Sequence, residues 1–156
     1  MANTTAIATS FKAELMLGAH QFGTVTIVSR TSLTAPTTDA LKASLYVTTG
    51  TIGAGTTAYT ASGEVSGTNY SAGGVTVTNA NAPTTSGTTG YWTPSAAIVY
   101  TTVTLSTAFD TVLLYNSTQS NRAILSYNFG STTVTAGTLT LNMPTNAAGT
   151  ALIQLN

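Results

Sequence analysis

Along most of this chain apolar and polar side chains alternate. "TVTIV" sets Val25 and Ile27 against Thr24 and Thr26, and "ALKASLYV" sets Leu41, Ala43, Leu45 and Val47 against Lys42, Ser44 and Tyr46. A period of two is what a strand with one buried and one solvated face requires. The same alternation recurs in "VTVT" (75 to 78), "IVYTTVTL" (98 to 105), "TVLLY" (111 to 115), "RAILSYNF" (122 to 129), "TLTLNM" (138 to 143) and "ALIQL" (151 to 155), which together predict about eight strands. "NSTQSN" (116 to 121) has the length of a hairpin loop, and Ala136-Gly137 stands where a tight turn would join "TTVT" to "TLTLNM". Threonine suits the outer faces, because its branched Cβ fits the pleat while its hydroxyl is hydrated. No helix-length periodic segment separates the strands, so parallel crossover units are not expected. The pattern predicts one mainly β domain over residues 1 to 156, an antiparallel β-sandwich or jelly roll.

One segment breaks the period. In "SFKAELMLGAH" (10 to 20), Phe11, Leu15 and Gly18 keep helical spacing, Lys12, Ala13, Glu14, Met16 and Leu17 are helix formers, Ser10 suits the N-cap and Gly18 the stop. This predicts a short N-terminal helix over 11 to 18 behind an arm formed by residues 1 to 10. Two turns are not stable alone, so the side bearing Phe11 and Leu15 must pack on the sheet or on a neighbouring subunit. His20, just past the helix, is placed to meet its C-terminus or to bond a loop.

Two further segments lack alternation. Residues 48 to 74 carry seven glycines, residues 79 to 95 are turn-rich, and both read as surface excursions. They hold Tyr59, Tyr70, Tyr91 and the only tryptophan, Trp92, which either anchor an interface or fold back to cap the ends of the sandwich. "GTIGAG" (50 to 55) and "GTTG" (87 to 90) read as turns needing positive φ rather than as phosphate cradles, since neither leads a strand into a helix with a lysine.

Composition then limits the chemistry. Only 5% of residues are charged and the net charge is zero, with Lys12, Arg30, Lys42 and Arg122 set against Glu14, Asp39, Glu64 and Asp110. All eight are scattered, which leaves no cationic face for nucleic acid. With 42% hydrophobic residues in periodic runs the chain is expected to fold, and its near-neutral surface to meet other protein surfaces. There is no cysteine, hence no disulfide or thiolate metal site. The first residues show no signal-peptide pattern and no run approaches the roughly 20 residues of a membrane span, so the expectation is synthesis in the cytoplasm without a membrane partner. A Ser-His-Asp set could be assembled from His20 with Asp39 or Asp110, but no G-x-S-x-G turn is present. The four carboxylates show no spacing that pairs two across a cleft or that binds zinc or calcium. No catalytic residue, metal or cofactor is expected.

The order of motifs resembles that of small structural proteins encoded in the virion modules of tailed bacteriophages. "FKAELMLGAHQF", "LKASLYVTTGTIGAGTTAYTASGEVSGTNYSAGG", "VLLYNSTQSNRAILSYNFG" and "LTLNMPTNAAGTALIQLN" carry the likeness, which runs through most of the chain. It departs at "TVTIVSRTSLTAPTTDA" (24 to 40), longer than the link usual in such relatives. The resemblance implies a virion component without enzymatic activity. Capsid decoration or cementing is favoured, the contacts being to the major capsid protein and to copies of itself, with a trimer conceivable. The alternative is a tail- or fibre-associated module binding a receptor or glycan. The residues expected at such contacts are Phe11, Leu15, His20, Tyr59, Tyr70, Tyr91 and Trp92.

Overall fold

The computed structural model describes residues 3–16, 20, 22, 23 and 37–155. The chain runs β1 (Ala6–Ile7), α1 (Thr9–Met16), β2 (Leu41–Val47), β3 (Val75–Val77), β4 (Thr84–Ser86), β5 (Thr89–Trp92), β6 (Ile98–Asn116), β7 (Arg122–Leu141) and β8 (Ile153–Leu155). All strand pairs are antiparallel, in a five-stranded sheet of order β1-β7-β6-β2-β3 and a three-stranded sheet of order β4-β5-β8. Buried side chains of both sheets, from Leu41 and Leu114 to Trp92 and Ile153, join one core. The arrangement is sandwich-like, mainly β, with one short N-terminal helix, as the alternation predicts. The strand expected at 24 to 28 lies outside the described residues, as do helix positions 17 and 18.

Three local expectations are corrected. The runs at 98 to 105 and 111 to 115 are one strand of 19 residues, and those at 122 to 129 and 138 to 143 merge into one of 20 residues that ends at Leu141. Ala136-Gly137 is therefore no hairpin turn. The pairing of β6 with β7 shifts register around Val103↔Gly137, and Ala136 takes φ 45° while its N–H bonds the Thr104 hydroxyl on β6, so the pair forms a bulge within a continuous ribbon. The hairpin loop at 117 to 121 is where "NSTQSN" places it, closing Asn116↔Arg122. The segment 79 to 95 is not wholly loop: Gly87, at φ 58°, and Thr88 join β4 to β5 in a two-residue hairpin.

Helix α1 begins two residues earlier than expected. Thr9 is its first residue and Ser10 lies inside it, with a hydroxyl that is buried and finds no partner among the described residues. The expected Ser10 cap is therefore not formed. The arm is integrated into the fold: Ala6 and Ile7 pair with Ser126 and Leu125, and the side chain of Asn3 is buried among Val47, Ile52 and Asp110.

Candidate functional site

The alternation in β2 predicts one solvated face, yet Ser44 and Tyr46 are as buried as Leu41, Ala43 and Leu45. The reason is the excursion 48 to 74, which folds back over that face. Its anchor is Glu64, whose backbone bridges to Tyr46. The Glu64 carboxylate accepts the phenol O–H of Tyr59 (2.6 Å), the phenol O–H of Tyr70 (2.8 Å) and the N–H of Gly73 (2.8 Å). Around it Tyr59 stacks on Tyr115 of β6 at 5.0 Å and Tyr70 on Tyr100 of β6 at 6.0 Å.

The remaining phenol bonds tie this layer to backbone. Tyr115 donates to the Gly73 carbonyl, Tyr100 to the Ala43 carbonyl and Tyr46 to the Thr60 carbonyl, while Tyr70 accepts the N–H of Leu45. Gly74 is held so closely against β2, at φ 70°, that a Cβ there would collide with the Ala43 carbonyl. Burial pushes the phenols of Tyr46, Tyr59, Tyr70 and Tyr100 above their ordinary range, and the Glu64 charge adds to it in each case. Tyr115 is pushed up to about 12 by the same two causes. The cluster is an internal rivet, with its carboxylate consumed by three donors.

His20 meets a second group of polar side chains. Asn116, fully buried at the end of β6, accepts the N–H groups of Thr118 (3.1 Å) and Gln119 (3.0 Å) on its Oδ1. That fixes its Nδ2 as the donor, which it directs at Asp39 Oδ2 (2.6 Å) and His20 Nδ1 (3.0 Å). His20 Nδ1 is thus an acceptor in this arrangement, and the ring proton sits on Nε2. His20 and Asp39 are brought together, but through an amide that orders the β6–β7 hairpin loop. Asp110, the other acid considered with it, accepts from Asn3 Nδ2 (2.8 Å) and the Thr111 hydroxyl (2.8 Å).

The seven residues expected at contacts fall into two groups. Phe11, Leu15, Tyr91 and Trp92 line one cavity of about 250 Å³ together with Phe22 and Ile153. His20 joins them edge-on to Phe11, at 4.8 Å. Tyr59 and Tyr70 belong to the Glu64 rivet. Trp92 is 2% exposed, packs on Phe22 at 4.6 Å and donates from Nε1 to the Asn81 carbonyl, and Phe11 is equally buried. Both are core side chains, so neither offers a ring to a partner or a sugar. Tyr59, Tyr70 and Trp92 follow the other course open to them, folding back over the sandwich, while Tyr91 is half-buried.

Residues that the sequence reading leaves aside prove central: Glu64, Tyr46, Tyr100, Tyr115 and Asn116. Their one legible signal is the recurrence of tyrosine on predicted strands, with Tyr46 at a position that the alternation assigns outward. A larger cavity, about 650 Å³, lies on the opposite face of the five-stranded sheet, floored by Val112, Leu114, Leu125 and Phe129 and bordered by Met143 and Leu152. Among the described residues no three His, Asp or Glu side chains gather as metal ligands. Comparison with protein-family models, with curated proteins and with solved structures finds no match to this chain.

Proposed function

We infer that the protein is a non-enzymatic structural component that works by contact, and, following the motif resemblance, that it decorates and cements the capsid of a tailed bacteriophage. The observation that carries the structural reading is how the acids are used. Asp39, Glu64 and Asp110 each accept internal donors, with Glu64 closing the excursion, Asp39 holding Asn116 at the hairpin loop and Asp110 holding Asn3 through Oδ1. Carboxylates committed to ordering loops make a rigid body, which is what a protein acting through summed surface contact needs. Decoration proteins gain from repetition, since many weak contacts arrayed by symmetry resist expansion together.

The test is location and effect. Particles lacking the protein, and the same particles with purified protein added back, are compared for occupancy by density and for heat release of the genome. Binding to the shell with delayed heat release is expected. Density confined to the tail or fibres would replace this reading with the tail-associated one, and absence from particles would remove both. Truncating residues 2 to 10 is a poor probe, because Asn3 and β1 are part of the protein's own sheet and core.

A further inference from the structure

Strand β7 is paired along β6 for nearly its whole length, but on its other side it has company only at the start. There β1 covers Leu125 and Ser126, the Thr57 carbonyl accepts Ala123 N–H, and the Thr5 hydroxyl takes Asn128 N–H. Gly130 N–H turns back onto Asn128 Oδ1. From Ser131 to Leu141 no described residue pairs with the outer edge. Alternate residues there direct N–H and C=O away from β6, ready for another strand.

Natural sheets protect such edges with charge, proline or shortness. This one has none of the three. No charged side chain occurs anywhere after Arg122, and "STTVTAGTLTL" (131 to 141) contains no proline. At about 3.3 Å per residue it spans roughly 36 Å. Its register against β6 shifts between Asn128 and Thr132, Thr132 and Val134, Val134 and Gly137, and Gly137 and Leu139, and Ala136 alone in the stretch takes a positive φ.

We propose that this edge pairs antiparallel with the same edge of a second copy, joining two five-stranded sheets into one across a twofold axis. An identical edge meets every demand the strand makes. It brings no charge to a neutral surface, it has the same length, and full overlap, centred on Ala136, sets Thr132 opposite Thr140, Val134 opposite Thr138 and Leu139 opposite Thr133. Val99, 40% exposed and opposite Thr140, extends the apolar margin. A contact about 36 Å long and about 10 Å deep covers on the order of 400 Å² per copy, below the size of a standard stable interface. The pairing is therefore weak between free molecules and strong only when copies are held side by side, as on a shell. In this it rests on the contact-making role inferred above.

The purified protein decides it without any particle. Sedimentation across a concentration series is expected to show a monomer–dimer equilibrium that Thr133→Lys with Thr135→Lys weakens at least tenfold, with the melting temperature unchanged. Because the chain has no cysteine, the double substitutions Thr132→Cys with Thr140→Cys and Val134→Cys with Thr138→Cys, opposed across the axis when 131 to 141 overlap fully, report neighbours directly. Oxidation should cross-link one of these far faster than Ser62→Cys or Thr85→Cys, which are exposed away from the edge. A monomer at every concentration, a dimer indifferent to the lysines, or equal cross-linking at edge and control sites would each overturn it. Failure of dimerisation with normal capsid occupancy refutes the pairing alone, and the reverse outcome refutes the decoration reading alone.

Discussion

Glu64 stands on a surface excursion, yet its carboxylate gathers two phenols and a backbone N–H. Hydrogen bonds to a charged acceptor are worth about 1.5–3 kcal/mol. Glu64→Ala should cost about 2–3 kcal/mol in denaturant unfolding and open residues 48 to 74 to proteolysis before the rest. The five surrounding phenols have folded values above the unfolded one, so the fold holds their protons more tightly than the unfolded chain does. Their contribution is complete below about pH 10 and is lost as pH rises through the folded values, about 12 for Tyr115. Tyrosinate absorbance from this group should thus rise together with loss of far-ultraviolet structure at high pH. At Asn116, replacement by Asp puts a second carboxylate against Asp39 in the interior, with an expected cost of about 3 kcal/mol at neutral pH that shrinks in acid as one of the two protonates.

At the scale of elements, alternation marks β2, β3, β6, β7 and β8 because each has at least one face on the core. It fails where a second layer arrives from far along the chain. Ser44 and Tyr46 follow the polar phase of β2, and only the return of residues 48 to 74 buries them. Nothing local in the sequence announces that return. Ala136-Gly137 misleads for a related reason: a small residue before glycine suits both a turn and a bulge, and the choice belongs to β6, which continues opposite it. The contact residues show the same limit. Phe11 and Trp92 look like loop and helix anchors, but their burial depends on Phe22 and Ile153, distant in sequence. Two substitutions probe these elements. Ala136→Val places a branched side chain at φ 45° and should cost about 1–2 kcal/mol. Gly74→Ala, strained at φ 70° and in collision with the Ala43 carbonyl, should cost about 3 kcal/mol or more, read as a fall in denaturant midpoint.

Taken whole, the molecule relies on apolar burial and on hydrogen bonds, only a few of them to carboxylates, since charged residues make up 5% of it. Charge screening therefore has little to act on. Raising the salt from low to physiological concentration should move the unfolding free energy by less than about 1 kcal/mol, measured by chemical denaturation at both. The pairing of β1 with β7 carries a consequence in time. Ala6 meets Ser126 and Ile7 meets Leu125, so the segment made early on the ribosome must wait for a strand made much later. At about 5–20 residues per second that delay is on the order of 10 s. Such distant pairings are slow to close, so β1 docks after the β6–β7 ribbon, and its protection from hydrogen exchange should appear later than that of the ribbon in refolding.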